Sequence, residues 1–578
     1  MKRFTLLSLS LILAGIFSTL TVEAANYLFK NGRSAYSIVL SSGASSTERT
    51  AAEELQTYVQ AVSGARLPII TAPVSKGPAI YVGYQQATAA LSGVTAPDAH
   101  DEGFTYRSQG ANLYIYGGKE RGTLYGVYTF LENELGIRWY TPDFTRIPHL
   151  KKWELGSLNH SERPTVKFRQ NDYFKVANTT QWRAHNKENF GWEPTKSAYG
   201  NIVSYWKCHT MPLLVPSAEF YQTHPEYFCL RGGKRQSYGQ LCLSNPDVLQ
   251  LCKERMAETI KNNPGYAIYS LSQDDNQLFC ECDACKAIEA KYGGHSGIMI
   301  WFVNQVADYI KPLFPDIYIG TFAYQYTRKP PVGIKPNENV VIRLCSIECC
   351  FAHPLDAGCP ENRAFMEDLK AWSQLAPHLF IWDYVVDYAQ YMAPWPNFQV
   401  LAPNIRVFRD NHAIGVYEES QYQSAGGEFE EMKAWVLSKL LWNPDQDVEP
   451  LVKDFIEGYY GAAAPKVMEY YRLCQSLIKP DLHYGIFINH EHPLYSDEFV
   501  TKGLAILRDG VNLATDDDLR ERVNKVRMQL LFLKSVRQPA QARSDGTWSE
   551  FVNMARKYQA RPHELYDIEK FIKDMESK

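Results

Sequence analysis

The chain has 578 residues, of which 60 are basic and 64 acidic, so its formal net charge is only −4. This balance argues against nucleic acid or an anionic membrane as the main partner. The length exceeds what one hydrophobic core usually supports, so we expect about two to four domains. Aromatic residues make up 13% of the chain, which suits either sugar-stacking surfaces or ordinary core packing.

Residues 1–24 have the pattern of a secretory signal peptide. Lys2 and Arg3 precede an apolar segment from Phe4 to Leu20, and Val22-Glu23-Ala24 offers small residues for cleavage. The segment is too short and too poorly flanked for a stable membrane anchor, and no later stretch approaches about 20 uninterrupted apolar residues. We therefore expect an exported protein, in a bacterial periplasm or outside the cell, without membrane insertion.

Residues 25–160 are predicted to form a small α/β domain. A strand is expected at Tyr36–Leu40, and a helix begins after Ser45, because Ser45 and Glu48 have the spacing of a capping box. The later predicted elements are strands at Leu67–Ile70 and Ala79–Gly83, a hairpin of Phe104–Ser108 and Asn112–Tyr116, a helix from Gly122 to near Gly136, and the segment Ile137–Tyr140.

From residue 161 to residue 425, short apolar strands alternate with helical patterns such as Asp247–Ile260 and Ser296–Ile310, which is typical of repeated βα units. Residues 426–578 contain helical patterns only and predict an appended helical domain. Eight strands within about 260 residues predict a (β/α)8 barrel. They are Val166–Arg169, Ser204–Cys208, Gln240–Leu243, Ala267–Ser270, Ile317–Phe322, Val340–Leu344, Leu379–Trp382 and Ile414–Tyr417.

Polar side chains concentrate at the carboxyl ends of these strands, where the chemistry of such barrels lies. After the fourth predicted strand, Asp274, Asp275 and Asn276 are adjacent. Two neighbouring carboxylates can be held at different pKa values for acid–base catalysis, but they could equally cap a helix or lie in a solvated loop. The further carboxylate Glu419 and the expected substrate-binding residues complete the rim: His209, Asn276, Tyr324, Glu348, Trp382, Asp383, Tyr384 and Trp395.

Each rim residue also has a structural interpretation: a core hydrogen bond for His209, a buried structural acid for Glu419, and rim packing for the aromatic residues. Together, acids, amides and rings suit a sugar pocket. The chain has no Gly-rich loop with phosphate-binding or dinucleotide-binding spacing, and no GxSxG or HExxH motif. We therefore expect no cofactor, no serine-hydrolase chemistry and no catalytic zinc.

Three cysteines, Cys280, Cys282 and Cys285, follow the carboxylate pair, and the whole chain has 12 cysteines. Disulfides would suit an exported protein. Three thiolates at this spacing, with another Cys or a His, could instead hold a structural zinc ion. Free buried thiols are the third possibility. In each case the cluster would fix the loop after Asp275 and take no part in catalysis.

Several long segments resemble known families. RGTLYGVYTFLENELGIRWYTPD is similar to the small domain that precedes the barrel in family 20 hexosaminidases and family 67 α-glucuronidases. WKCHTMPLLVP, SLSQDDNQLFCECDACKA and FIWDYVVDYAQYMAPWPN resemble the domain of unknown function 4838, much of which is classed as glycoside hydrolase family 163. The resemblance covers roughly residues 28–480.

This resemblance implies an endo-β-N-acetylglucosaminidase that acts on complex N-glycans with help from the 2-acetamido group of the substrate. It implies that Asp275 is the general acid and that Asp274 polarises the acetamide. Adjacent residues of a regular strand point to opposite faces, so both can reach the site only if the strand end kinks. The rival mechanism uses two enzyme carboxylates, with Glu419 or Glu348 as the partner of Asp275.

Two other functions remain open on the sequence alone. An α-glucuronidase-like exo-hydrolase would need a basic pocket for a carboxylate, for which Lys207, Arg231, Arg235 and Arg328 are available. A barrel that binds carbohydrate without turnover is the other. Glycan linkage, exo or endo action, anomeric outcome and oligomeric state are left undecided by the sequence.

Overall fold

The computed structural model describes residues 26–71 and 77–577, so the expected signal peptide of residues 1–24 lies outside the described part. Within that part, no helix is long and apolar enough to cross a membrane. The chain forms an N-terminal α/β part, a nearly closed barrel of parallel strands and a C-terminal run of helices.

The N-terminal part is built on a mixed six-stranded sheet with a hydrophobic core of its own. Helix Ser46–Ser63 begins where the sequence predicts, because Ser45 and Glu48 form the capping box. It packs against helix Gly122–Leu135. The strands of the sheet, from one edge to the other, are Asn159–Glu162, Phe104–Gln109, Asn112–Gly117, Ala79–Val82, Ser37–Leu40 and Ile69–Ile70. The remaining elements are helix Tyr84–Ala90 and two strand pairs, Tyr27–Lys30 with Lys152–Glu154 and Arg138–Thr141 with Phe144–Arg146.

Eight parallel strands form the barrel, which confirms the predicted fold class. From the second strand to the eighth, strands that follow each other in the chain are neighbours in the sheet, and the eighth pairs with the first. The first and second strands do not pair, so the barrel has one gap within the described part of the chain. Among the described residues, a single backbone hydrogen bond crosses this gap, from the Asn189 amide to the Arg169 carbonyl over 3.3 Å. The strands are Phe168–Asn171 (β1), Phe190–Gly191 (β2), Val203–Trp206 (β3), Ile268–Ser270 (β4), Tyr318–Ala323 (β5), Val340–Cys345 (β6), His378–Tyr384 (β7) and Ala413–Glu419 (β8).

One predicted strand is wrong. Gln240–Leu243 lies in the long connection between β3 and β4, where Leu241 forms only an isolated antiparallel bridge with Phe228. Its apolar pattern reflects burial in the barrel's main core rather than a place in the sheet. The true second strand, β2, has two residues and is too short to give a periodic signal. The strand before Asp275 nevertheless remains the fourth.

Helix Glu430–Trp442 follows β8, is buried along its whole length and packs against β1. It therefore occupies the place of the eighth barrel helix, although its sequence pattern grouped it with the C-terminal helices. The other helices between barrel strands are Phe174–Ala177, Thr180–His185, Met211–Leu214, Ser217–Phe220, Pro246–Asn262, Asp283–Tyr292, His295–Ile310, Arg363–Leu375 and Phe398–Asp410, with 3-10 turns at Pro225–Tyr227, Gln325–Thr327 and Pro360–Asn362.

The C-terminal helices share one continuous hydrophobic core with the barrel. A non-helical segment, residues 479–495, interrupts them and reaches the pocket described below. The helices are Val448–Tyr460, Ala464–Gln475, Asp497–Leu513, Asp517–Arg537, Pro539–Ser544, Thr547–Tyr558 and Ile568–Glu576, with a 3-10 turn at Gly461–Ala463.

Candidate active site

A pocket of about 620 Å³ opens at the carboxyl ends of the barrel strands. Six of the residues selected from the sequence line it: Asp275, Glu419, His209, Tyr324, Trp382 and Tyr384. They follow or end strands β3, β4, β5, β7 and β8. The structure therefore brings together side chains that are up to 210 residues apart in the chain, from His209 to Glu419.

The position of Asp275 depends on a buried amide that the sequence did not single out. Gln240 accepts a hydrogen bond from the Asp274 amide over 3.0 Å. Its own amide group donates to the carbonyls of Asp274, at 2.9 Å, and Asn276, at 2.7 Å. These three bonds hold the backbone on both sides of Asp275 after β4 has ended, so the Asp275 side chain faces the pocket.

Asp274 and Asn276 do not line the pocket. The Asn276 amide donates to the Asp274 carboxylate over 2.8 Å, so these two side chains satisfy each other beside the loop. The chain does leave regular strand geometry at this point, as the predicted pairing required, but only Asp275 reaches the site. The adjacent-carboxylate arrangement expected from the resemblance is therefore not built here.

Asp275 is paired with a phenol. The Tyr324 hydroxyl donates to Asp275 Oδ1 over 2.9 Å and accepts from the Gln325 amide over 2.8 Å. Burial and the nearby Asp275 charge raise the pKa of Tyr324 well above its usual range, so this residue keeps its proton. A hydrogen-bond acceptor and a hydrogen-bond donor thus lie side by side on one wall.

Glu419 ends β8 and faces the same pocket. The Trp382 indole N–H donates to Glu419 Oε2 over 2.6 Å. Burial, together with the charges of Asp172 and Glu564, raises the pKa of Glu419 to about 8, against the smaller opposing effects of the Trp382 hydrogen bond and Arg343. At neutral pH this carboxyl group is therefore mostly protonated, which is the state that a proton donor needs.

The alternation of side chains along a strand separates Asp383 from its neighbours. Trp382 and Tyr384 line the pocket, whereas Asp383 is buried away from it and accepts a hydrogen bond from the Ser346 hydroxyl. Burial raises the pKa of Asp383 to about 6. On β8, Glu418 stands opposite Asp383 in the strand register and is also buried. These two acids are buried on the side of the strands opposite the pocket.

A buried cation lies beneath the aromatic floor of the pocket. The Arg343 side chain projects from β6, is fully buried, and finds no hydrogen-bond partner for its guanidinium among the described residues. Instead its central carbon lies 4.4 Å from the ring centre of Trp382 and 4.9 Å from that of Tyr417. Contacts with ring faces favour a cation. Two pocket-lining rings are thereby fixed over a positive charge.

His209 lines the pocket in a left-handed backbone conformation, with φ of 52°. Its Nδ1 lies 2.9 Å from the Gln273 carbonyl oxygen. A carbonyl only accepts hydrogen bonds, so Nδ1 carries a proton. This bond is the core hydrogen bond considered from the sequence, while the ring also lines the pocket, and binding of substrate by His209 stays a prediction.

Glu348 and Trp395 lie outside the pocket. Glu348 is ion-paired with Arg328, and its side chain is 45% exposed. Trp395 is almost fully buried, and its indole N–H donates to the Gly485 carbonyl over 3.3 Å. The structure gives Trp395 a packing role beneath the loops, with no surface available to a sugar.

Sequence reasoning missed more than half of the lining. Part of it comes from barrel positions next to residues already selected, and part from C-terminal residues far away in the chain. No local sequence signal marks the C-terminal group, because it reaches the rim only through tertiary packing. The missed residues are Asp172, Trp192, Phe322, Cys345, Ile347, Tyr388, Tyr417, Tyr422, Ile486, Phe487 and Glu564.

The cysteine cluster beside the site contains a fourth member. Cys242 joins Cys280, Cys282 and Cys285, and its sulfur lies 3.7 Å from that of Cys282 and 3.8 Å from that of Cys285. These distances are well beyond the S–S bond length of about 2.05 Å. In the structure no disulfide joins any of the four. Cys242 belongs to the segment that the sequence pattern assigned to a barrel strand.

One solved structure shares the fold of this chain, and another is less similar. A family 115 4-O-methyl-α-glucuronidase with specificity for decorated arabinogalactans has a TM-score of 0.57 at 13% identity, over 92% of this chain and 77% of that chain. A chitobiase from Flavobacterium johnsoniae is less similar, with a TM-score of 0.45 at 12% identity, over 95% and 96%. The first similarity shows a shared fold over most of this chain.

The family follows from sequence models. The model described as "Domain of unknown function (DUF4838)" matches residues 139–472, more than half of the chain, so the chain belongs to this family. Residues 23–130 match the model described as "Glycosyl hydrolase family 67 N-terminus". Both matches confirm the resemblance noted from the sequence. No curated protein gives a significant match.

Proposed function

We propose that this protein is an exported glycoside hydrolase whose reaction takes place in the barrel pocket. One observation carries the proposal. Asp275 and Glu419 face the same pocket, and Glu419 retains its proton at neutral pH. Glycoside hydrolysis requires a proton donor for the leaving oxygen and a second group that supports the anomeric centre. The rings of Trp382 and Tyr384 add faces that suit the C–H surfaces of sugars.

In this proposal Glu419 is the general acid. Its proton passes to the glycosidic oxygen as the bond from that oxygen to the anomeric carbon breaks. When water later attacks the anomeric carbon, the Glu419 carboxylate takes a proton from the water and returns to its starting state. This assignment reverses the role expected from the resemblance, in which Asp275 is the acid, because the raised pKa belongs to Glu419.

For the substrate we propose a glycan that contains N-acetylglucosamine, as in an endo-β-N-acetylglucosaminidase acting on complex N-glycans. An acetamido group has one N–H donor and one carbonyl acceptor. Asp275 presents the matching acceptor. The Tyr324 hydroxyl, whose proton goes to Asp275 over 2.9 Å, would turn to the acetamido carbonyl when the substrate N–H takes its place on Asp275. Asp275 would hold the N–H, so that the acetamido oxygen can attack the anomeric carbon and form a cyclic oxazolinium intermediate.

The direct test is incubation of the full chain with a complex biantennary N-glycoprotein and mass spectrometry of the released glycans. We expect release of a glycan that ends in one N-acetylglucosamine, and loss of this activity in both Glu419→Gln and Asp275→Asn. Glu348→Gln is the matched control, since Glu348 lies outside the pocket. Full activity of Glu419→Gln would overturn the acid assignment, and no release from a broad glycan panel would overturn the N-glycan proposal.

A second candidate function is hydrolysis of a glucuronide, favoured by the position of Lys207. Of the four basic residues considered from the sequence, only Lys207 lines the pocket. It forms no ion pair with any described residue, whereas Arg328 is paired with Glu348 and Asp368. An ammonium group without an ion-pair partner can bind the carboxylate of a uronic acid. Release of glucuronic acid from aryl glucuronides, abolished by Lys207→Met, would favour this function over the first.

A further inference from the structure

Two clusters of cysteine and histidine side chains lie outside the pocket, and the proposed reaction uses neither. The first, here called the cysteine–histidine cluster, consists of Cys350, His353, Cys359 and His483. The second, the four-cysteine cluster, consists of Cys242, Cys280, Cys282 and Cys285. In each cluster the four potential ligand atoms all lie within 4.8 Å of one another.

The distances in the cysteine–histidine cluster match a tetrahedral metal site. The Cys350 sulfur lies 3.5 Å from His353 Nδ1, and the Cys359 sulfur lies 3.5 Å from His483 Nδ1. With Zn–S bonds of about 2.3 Å and Zn–N bonds of about 2.0–2.1 Å, the sulfur–nitrogen edge of a regular tetrahedron is about 3.5 Å. The two measured sulfur–nitrogen pairs have no atom in common, so they correspond to opposite edges of the tetrahedron. The ring centres of the two imidazoles are 4.9 Å apart.

The two cysteines of this cluster are more buried than its two histidines, and a side chain braces their loop. Cys350 and Cys359 are buried, at 1% and 8% exposure. The Asn362 side chain braces the loop, since it accepts from the Cys350 amide over 2.7 Å and donates to the Cys350 carbonyl over 3.1 Å. His353 Nε2 is buried without a hydrogen-bond partner among the described residues. Among the described residues, the four side chains contact one another through the two sulfur–nitrogen pairs, and His483 Nδ1 also lies 3.9 Å from Glu361 Oε2.

We propose that the cysteine–histidine cluster is a structural zinc site. Two thiolates and two neutral imidazoles form a donor set that zinc prefers, and four protein ligands leave no open position for catalysis. Binding would release the two thiol protons and place an electrically neutral unit of one zinc ion, two thiolates and two imidazoles in the buried site. Zinc fits this set better than calcium or magnesium, which prefer oxygen ligands.

The four-cysteine cluster carries the same inference independently. The sulfur–sulfur edge of a tetrahedral zinc site with four thiolate ligands is about 3.8 Å. The measured separations are 3.7 Å from Cys242 to Cys282 and 3.8 Å from Cys242 to Cys285. One zinc ion with four thiolates has a net charge of −2, and the Arg235 guanidinium lies 3.8 Å from the Cys280 sulfur. This arginine offsets part of that charge.

Both sites would fix loops that build the pocket. The cysteine–histidine cluster joins the loop after β6 to the segment of His483, which leads directly to the pocket residues Ile486 and Phe487. The four-cysteine cluster joins the segment of Gln240 and Cys242 to the loop after Asp275. Because Gln240 holds the backbone around Asp275, the second zinc ion would stabilise the proposed catalytic carboxylate indirectly.

The test measures metal directly and does not depend on any activity. The full chain, made without a polyhistidine tag and passed over a chelating resin, is analysed by elemental mass spectrometry. We expect two zinc ions per chain. His483→Ala and Cys359→Ser should each leave one ion, as should Cys282→Ser. Cys474→Ser, which changes a buried cysteine outside both clusters, should keep two.

A second readout covers variants that fail to fold. The parent chain is reconstituted with cobalt, which should give the visible spectrum of tetrahedral cobalt with thiolate charge-transfer bands. In a separate titration of the zinc-loaded parent chain, zinc release is followed as a mercurial reagent reacts with the thiols. Fewer than one zinc ion per chain after incubation with zinc would overturn both sites. If that protein then shows all 12 thiols, the clusters are free cysteines, and a lower thiol count would identify disulfides. Retention of two zinc ions by His483→Ala would overturn the cysteine–histidine site alone.

Discussion

Replacing Glu419 with glutamine should change how the stability of the protein depends on pH. The pKa of Glu419 rises from 4.5 to about 8 on folding. Each pKa unit corresponds to about 1.4 kcal/mol, so the full shift corresponds to about 5 kcal/mol. Because the side chain is partly open to the pocket, solvent screening reduces the expected effect to about 3–5 kcal/mol.

The direction follows from proton binding. Between about pH 4.5 and about pH 8, folded Glu419 keeps its proton while the unfolded chain releases it, so stability falls as pH rises through this window. Above about pH 8 the folded state also releases the proton, so this carboxyl group causes no further loss of stability as pH rises. Glutamine has no proton to release. Glu419→Gln should therefore gain stability relative to the parent as pH rises from about 5 to about 8, by about 3–4 kcal/mol.

The assay is urea unfolding followed by tryptophan fluorescence at several pH values. The difference in the free energy of unfolding between parent and variant is taken at each pH. This difference largely removes the pH dependence that comes from other buried acids such as Asp172, whose pKa burial raises to about 6. Glu457→Gln, on an exposed helical surface, is the control. A difference between Glu419→Gln and the parent that varies by less than about 1 kcal/mol over this range would refute the burial argument.

Two further substitutions test the pocket mouth and the packing of the domains. Phe487 is 64% exposed at the pocket, so Phe487→Ala should change the free energy of unfolding by less than about 0.5 kcal/mol. The same variant should raise KM for a cleaved glycan with kcat maintained. An unchanged KM would exclude Phe487 from substrate binding. Gly458→Ala would place a Cβ atom well inside van der Waals contact of the Tyr140 hydroxyl oxygen, so it should cost about 1–3 kcal/mol in urea unfolding. Adding Tyr140→Phe should recover part of this loss, and no initial loss would show that the ring can move aside.

The order of elements and much of the rim could be predicted from the sequence because the signals are local. The Ser45 capping box, the apolar strands and the helical periodicities depend on residues close together in the chain. In a parallel barrel, the residue after a strand must lie on the catalytic rim. This rule placed Asp275 and Tyr324 in one pocket although they are 49 residues apart.

The failures have equally definite causes. Asp383 was selected with Trp382 and Tyr384, but successive residues of a strand face opposite sides, so the middle residue had to point away from the side of the other two. The two-residue strand β2 carries too little pattern to be found, and the buried segment of Gln240 took its place in the prediction. Gln240 itself acts through side-chain hydrogen bonds to a distant loop, which no periodicity encodes.

The C-terminal helical region is part of the candidate active site. Ile486 and Phe487 form one wall of the pocket, and Glu564 reaches it from the far end of the chain. Glu564 also contributes to the raised pKa of Glu419, after the larger effects of burial and Asp172. The Tyr422 hydroxyl, which follows β8, donates to Glu564 over 3.3 Å and joins the region to the rim. The protonation of the proposed acid therefore depends on residues that a barrel alone would not contain.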